Sequence, residues 1–303
     1  MGAAMKLPAV LVEAFASGPC SGNGAAVVLV NQPLPDSCLQ GLARSLNQSE
    51  TAFLWRQQQE WQLRWFTPTC EVPLCGHATL AALLALGHWG LVAPGSTLRF
   101  HSLSGPLEAR LLTSPATMAA GLAAGWIVLP SSGLVPAPLP QELGNLVSTW
   151  LACGVEGHWT SPLGYTVLLL PASAPLASAV LPASAIPPGQ RPGLVLMQPL
   201  AAEGPAAPAV LNETCRYQLR FLAPGLGIDE DPVTGSAHAL VAPWWLQQLE
   251  LPRVAGWQCS PRPGGMVCEA AFSGMIRLSG SGHLLWDGHV HLGSGDDFPG
   301  RLG

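Results

Sequence analysis

Apolar and polar positions alternate in short runs along most of this chain, and four stretches with helical spacing interrupt the alternation. The run 10–15 predicts a strand, the cluster Ser17-Gly18-Pro19 a turn, and the β-branched run 25–30 a buried strand. Pro35-Asp36-Ser37 introduces a helix whose apolar positions Leu39, Leu42, Ala43 and Leu46 share one face. Strands are expected at 51–56 and 61–66. A helix follows over 77–88, apolar on almost every side and stopped by Gly90. Strands at 97–101 and 107–112 complete this part.

The second half repeats the grammar. Strand-like runs fall at 126–129, 165–170, 193–197 and 217–222, with a helix from 140 to 151 between the first two. A second very apolar helix is expected over 236–249, and short strands at 265–271, 275–278 and 284–290 finish the chain. The Ala/Pro-rich stretch 171–192 reads as a surface connection, and the link between halves as 114–125. A helix apolar on nearly all faces belongs in the middle of something. The expected class is therefore α+β: two pseudo-symmetric domains, 8–115 and 124–290, each a sheet wrapped around a central apolar helix. Two such helices side by side would leave a cleft between them.

Composition narrows the function more than the fold. With 303 residues, 49% hydrophobic and 10% charged, the chain has ample apolar surface for two cores. The net charge is −5, and arginines are scattered singly, so no phosphate-tracking face and no nucleic-acid partner is expected. Lys6 is the only lysine and is expected in an N-terminal tail. Schiff-base chemistry, pyridoxal phosphate included, needs a buried lysine amine and is excluded on that ground. Eight cysteines without a C-x-x-C pair give neither a disulfide scaffold nor a zinc ribbon. Glu13 interrupts the opening apolar run, so it does not read as a signal peptide. The apolar stretches 78–93 and 164–186 are too short or too proline-broken to span a membrane. A soluble, cytoplasmic protein is expected, with no membrane contact.

Candidate chemistry concentrates where the two apolar helices begin. The chain reaches the first through Leu74-Cys75-Gly76-His77-Ala78-Thr79, and the second through Glu230-Asp231-Pro232-Val233-Thr234-Gly235-Ser236-Ala237. Backbone N–H groups at a helix start are unpaired and lie at positive potential, which suits a small anionic metabolite such as a carboxylate. Cys70-x4-Cys75-x-His77 has metal-like residue types but no matching ligand group, so no metal is expected. Taken singly, Asp231 and Ser236 read as caps, His77 as a structural hydrogen bonder and Glu50 as a solvated carboxylate.

Together these blocks resemble the PhzF-like (phenazine biosynthesis-like) family. The resemblance is carried by Leu46-Asn47-Gln48-Ser49-Glu50-Thr51-Ala52-Phe53, by Trp65-Phe66-Thr67-Pro68 with Glu71, and by the two helix-start blocks, with Gly22-Asn23 and 221–228 similar as well. It runs in order from about residue 8 to 290 and implies the diaminopimelate-epimerase fold, a cofactor-free isomerase and a homodimer. It implies that Glu50 abstracts and returns a proton as a double bond migrates, with His77, Asp231 and Ser236 shuttling or orienting. Asn23, Ser49, Gly76, Thr234 and Gly235 are implied to hold the substrate, the glycines by letting backbone approach it.

Related amino-acid epimerases use one thiol at each helix start. Here Cys75 stands at the first position and Thr234 at the second, which argues against two-thiol racemisation. Cys75 is then read as a small buried residue. A carboxylate in a dry apolar cleft is expected to have a raised pKa and to serve as a general base. The alternative is a binding or regulatory protein that keeps the scaffold without turnover. Departures from the family pattern, Glu13, Gly24 and the prolines of 260–265, bear on substrate more than on fold.

Overall fold

A computed structural model describes residues 5–113, 121–201, 207–272 and 274–293. They form two compact units. One comprises residues up to Cys20, Gly24–Ile127 and the chain from Ser281 on; the other comprises Ser21–Asn23 and Val128–Gly280.

In the first unit the strands are Met5–Ala14 (β1), Asn23–Leu29 (β2), Glu50–Gln57 (β3), Glu60–Phe66 (β4), Glu71–Val72 (β5), Thr97–Ser102 (β6), Gly105–Leu112 (β7) and Ala123–Pro130 (β8). Its helices are Asp36–Leu46 (α1) and Gly76–His88 (α2). β2 pairs in parallel with β3, and β3 pairs antiparallel with β4. β4 runs parallel to β6, and β6–β7–β8 is an antiparallel meander.

Helix α2 owes its form to an Ala/Leu run of high helix propensity, and every residue from Gly76 to Leu86 is buried. It packs against β1, β3 and β7. Helix α1 is amphipathic; its Leu39 and Ala43 join Leu7, Val28 and Phe53 in a separate apolar cluster. It ends at Asn47 in the left-handed region (φ 49°), a conformation asparagine tolerates, and the chain turns there into Ser49 and Glu50.

The second unit has Val135–Pro136 (β9), Gly157–Thr160 (β10), Thr166–Leu169 (β11), Leu194–Pro199 (β12), Ala209–Val210 (β13), Glu213–Ala223 (β14), Ile228–Asp231 (β15), Arg253–Gln258 (β16), Gly264–Ala270 (β17) and the opening residues of Met275–Leu292 (β18), which passes into the first unit at Ser281. Its helices are Gln141–Leu151 (α3) and Gly235–Gln248 (α4). Like α1, α3 follows a proline, runs 11 residues and ends on a left-handed residue, Ala152. α4 is buried along most of its length and packs against β16 and β17.

Several expectations change. The two terminal strands are one, β18: its first part pairs with β17, and from Gly282 on it pairs antiparallel with β1. Lys6 is not in a tail but in β1, opposite His291. The stretch 171–192 is a connection of short 3-10 turns, most of its residues exposed as expected, but it is anchored inward by Leu176, Ala183 and Ile186, buried in a core cluster with Leu143 and Leu168. Of the link expected at 114–125, residues 114–120 lie outside the described residues, and β8 already begins at Ala123. No helix of the described residues is long and apolar enough to cross a membrane.

Candidate active site

The left-handed turn at Asn47 places Ser49 and Glu50 at the start of β3, and Cys75 leads into α2 with extended backbone (φ −145°, ψ 114°). These two local events bring four side chains together in the first unit. His77 Nε2 lies 3.1 Å from Glu50 Oε2 and 3.2 Å from Ser49 Oγ. The Ser49 hydroxyl donates to the Gly24 carbonyl at 3.2 Å, so its oxygen is left to accept from the imidazole N–H. Cys75 Sγ lies 3.5 Å from His77 Nδ1 and 3.9 Å from Nε2. Thr79 donates its hydroxyl to the Cys75 carbonyl at 2.5 Å, which braces the first turn of α2.

The electrostatics correct the expectation of a raised Glu50. Burial pushes the Glu50 carboxyl upward, but the positive charge of His77 and the hydrogen bonding around the carboxylate, that of His77 foremost, outweigh it, and the net shift is downward. For His77, burial favours the neutral ring, but the negative charges of a Cys75 thiolate and of Glu50, with hydrogen bonds to both, hold it well above the ordinary imidazole value. Burial first, and then the Glu50 charge, push the Cys75 thiol up to about 11. At neutral pH the thiol is protonated, so the thiolate's share of that upward shift is absent there, and Glu50 is the anion left to pair with the His77 imidazolium. Their side chains are 19% and 7% exposed, so the pair sits in a poorly screened setting.

The second unit holds the other expected residues in a different kind of arrangement. Asn23 donates from Nδ2 to Asp231 Oδ1 at 2.8 Å and to the Val233 carbonyl at 3.0 Å. Thr234 donates its hydroxyl to Asp231 Oδ2, so both carboxylate oxygens accept bonds from neighbouring side chains. Gln258, fully buried, spans the same turn: its Oε1 accepts from the Thr234 N–H at 2.7 Å and its Nε2 donates to the Asp231 carbonyl at 2.6 Å. Ser236 Oγ is 3.4 Å from the Tyr165 hydroxyl. Gly235 opens α4 and is buried, as Gly76 opens α2. Thr234 is the residue just before α4, the place that Cys75 holds before α2, so no second thiol occupies that position.

Sequence reasoning missed Gln258 and Tyr165. Gln258 carries no local signal, since its role depends on β16 delivering it beneath the 231–234 turn. Tyr165 had one: the chain has only two tyrosines, and both meet a first-turn residue of α4, Tyr165 with Ser236 and Tyr217 with His238 (2.8 Å). Cys70, considered as a metal partner of Cys75 and His77, is exposed and bonded locally around Thr67.

A chain that folds into these strands, with a Gly-led buried helix in each unit, is of the epimerase fold. Its structure matches a hydroxyproline epimerase from Agrobacterium vitis with TM-score 0.52, covering 96% of this chain and 94% of that one, at 10% identity. A PhzF-family protein from Enterococcus faecalis matches more closely, with TM-score 0.79 and 29% identity over 95% of this chain and 100% of the other. The chain belongs to the phenazine biosynthesis-like (PhzC-PhzF) family, whose model matches residues 12–123 and 198–281. Its relatives include an uncharacterized isomerase of Pseudomonas aeruginosa, 34% identical over 95% of this chain and all of that protein. The human phenazine biosynthesis-like domain-containing protein is 33% identical over 94% of this chain and 99% of its own length.

Proposed function

We propose that the protein is an isomerase that moves a proton between two carbons of a small carboxylate substrate, without a cofactor, so that a double bond migrates. The observation that carries this is the Glu50–His77 pair at the start of a buried helix, 3.1 Å apart. Glu50 is ionised at neutral pH and so can accept a proton at once, without first losing one. A carboxylate of lowered pKa is a weak base, however, and the energetic deficit has to be met by stabilising the carbanion that forms. The imidazolium of His77 and the N–H groups of the first turn of α2 offer positive potential for that purpose.

The coupling supports a relay. When Glu50 takes the carbon-bound proton, its charge disappears and His77 loses the anion that kept it protonated. His77 becomes a better acid at that moment, and either group can return a proton to the second carbon. The electron pair freed from the broken C–H bond becomes the shifted double bond, and the pair of the former double bond takes the returned proton. Where His77 gives that proton, Glu50 passes its own to the ring, so that the enzyme ends as it began. Residues of the second unit are assigned supporting roles. Ser236, with Tyr165, offers a hydroxyl to the substrate, while Asp231 fixes the turn that bears Thr234 and Gly235 by gathering Asn23 and Thr234. The reading that the two units are pseudo-symmetric, each a sheet wrapped on its apolar helix, is part of the proposal. It is supported by α2 and α4 both being buried and both opening on glycine. So are a homodimer, which sedimentation would test, and a cytoplasmic place of action.

The test is deuterium exchange. A panel of small unsaturated and amino carboxylates is incubated with the protein in heavy water and followed by NMR. Glu50→Gln is expected to lower exchange into a substrate by about 10²–10⁴-fold with the fold intact. Exchange undiminished in that variant would remove Glu50 from the mechanism.

A further inference from the structure

Glu50, Cys75 and His77 form, among the described residues, the one group of three metal-ligating side chains whose donor atoms all lie within 4.8 Å of one another. We propose that this trio takes up a thiophilic divalent cation of the zinc class, and that the bound ion switches off proton transfer at Glu50. The second half of that statement rests on the isomerase reading; the first does not.

The donor set is the first reason. One thiolate sulfur, one imidazole nitrogen and one carboxylate oxygen is a combination that soft-to-borderline ions accept and that magnesium and calcium do not. The spacing is the second. A tetrahedral zinc ion with bonds of about 2.3 Å to sulfur and about 2.0 Å to nitrogen and oxygen separates sulfur from nitrogen by about 3.5 Å and nitrogen from oxygen by about 3.3 Å. Here Cys75 Sγ is 3.9 Å from His77 Nε2, and that nitrogen is 3.1 Å from Glu50 Oε2. The sulfur also lies 3.5 Å from Nδ1, so a side-chain rotation that carries it from beside Nδ1 toward the Nε2 lone pair is what brings the three donors onto that geometry.

The scaffold is the third reason. Cys75 and His77 are held two residues apart by the start of α2, and Glu50 by the start of β3, so little ordering remains to be done on binding. Three protein ligands leave the fourth position to water. Protons balance simply. The Cys75 thiol releases one as sulfur bonds the metal, and the His77 imidazolium releases one as Nε2 gives its lone pair. Glu50 already carries the charge it donates. With Glu50 and His77 both bound to the ion, neither can take or return a substrate proton. From sequence, Cys70 near Cys75 and His77 lacks a matching ligand group and no metal is expected; the fold brings Glu50 to the two instead, across 25 residues of chain.

Cobalt(II) is the probe, because it occupies zinc sites and reports its ligands by colour. Added to the full-length, chelator-treated protein, it is expected to bind one equivalent, with the intense d–d absorption of a tetrahedral ion and a sulfur-to-cobalt charge-transfer band, and zinc should displace it. Cys75→Ser should abolish the charge-transfer band. Glu50→Gln, which keeps the thiol, should retain the band and weaken cobalt affinity by about 10-fold or more. Cys70→Ser should change neither. A wild-type spectrum without the sulfur band, or a band that survives in Cys75→Ser, would overturn the site. These readouts need no turnover, so they stand or fall apart from the isomerase reading. Where exchange activity is found, one equivalent of zinc should suppress it and a chelator should restore it; full activity at saturating zinc would overturn the switch while leaving the site.

Discussion

Glu50 and His77 each stabilise the charged form of the other, and the pH dependence of the folded state follows from the two signs. Glu50 is shifted below its ordinary value of 4.5, so its contribution is complete above 4.5 and is lost as pH falls through the lower folded value. His77 is shifted above its ordinary 6.5, so its contribution is complete below 6.5 and is lost as pH rises through the higher folded value. The stability difference between the wild type and Glu50→Gln should therefore be greatest between pH 4.5 and 6.5 and shrink on both sides. Thermal melts of the two proteins across pH check this. A difference that grows steadily toward alkaline pH would mean that the pair is not charged as described. His238 shows the opposite case: full burial drives it down to about 3, so it stays neutral, and its Nδ1 pairs with the Tyr217 hydroxyl as a structural bond.

At the scale of elements, each unit clasps the approach to its buried helix with the same device. Arg64 on β4 makes two bonds to Glu71 on β5, at 2.7 and 2.6 Å. Arg220 on β14 makes two to Glu230 on β15, at 2.6 and 2.5 Å. Glu71 stands five residues before Gly76 and Glu230 five before Gly235, so each fork fixes the strand that leads into the helix start. The two should differ in worth, because Arg220 and Glu230 are 7% and 14% exposed whereas Arg64 and Glu71 are 22% and 23%. Arg220 also donates to the Leu176 and Ala179 carbonyls, so losing its partner strands a buried cation. Glu230→Ala is expected to cost about 3–5 kcal/mol. Glu71→Ala, whose arginine keeps Asp36 and some water, should cost about 1–3 kcal/mol. Denaturant unfolding of the two variants checks the order, and equal losses would refute the dependence on burial.

For the molecule as a whole, β18 is the decisive strand. It starts beside β17 in one unit and ends beside β1 in the other, pairing with the whole of Met5–Ala14. Its Val290 and Leu292 also pack on the cluster that holds Leu7, Phe53 and Leu39. A chain ended at Gly280 would leave β1 without that partner and the first unit without part of its core. Such a protein is expected to lose cooperative unfolding in the first unit, and a separate peptide covering 281–293 should restore some of it. Cooperative unfolding unchanged by the truncation, followed through tryptophan fluorescence, would contradict this role.

What the chain determines by itself is whatever period and local chemistry encode. The four helices were legible because apolar spacing, prolines at 35 and 140 and glycines at 76 and 235 act over a few residues. The family, and with it Glu50 as a candidate, was legible because its motifs are contiguous. Tertiary structure alone decided that 281–292 returns to the first unit, since strand pairing is read from a partner some 270 residues away. It also buried Leu176 and Ile186 within a stretch whose composition reads as exposed. It reversed the shift of Glu50 as well, because a pKa is set by what folding brings within a few ångströms, and here that is the imidazolium of His77.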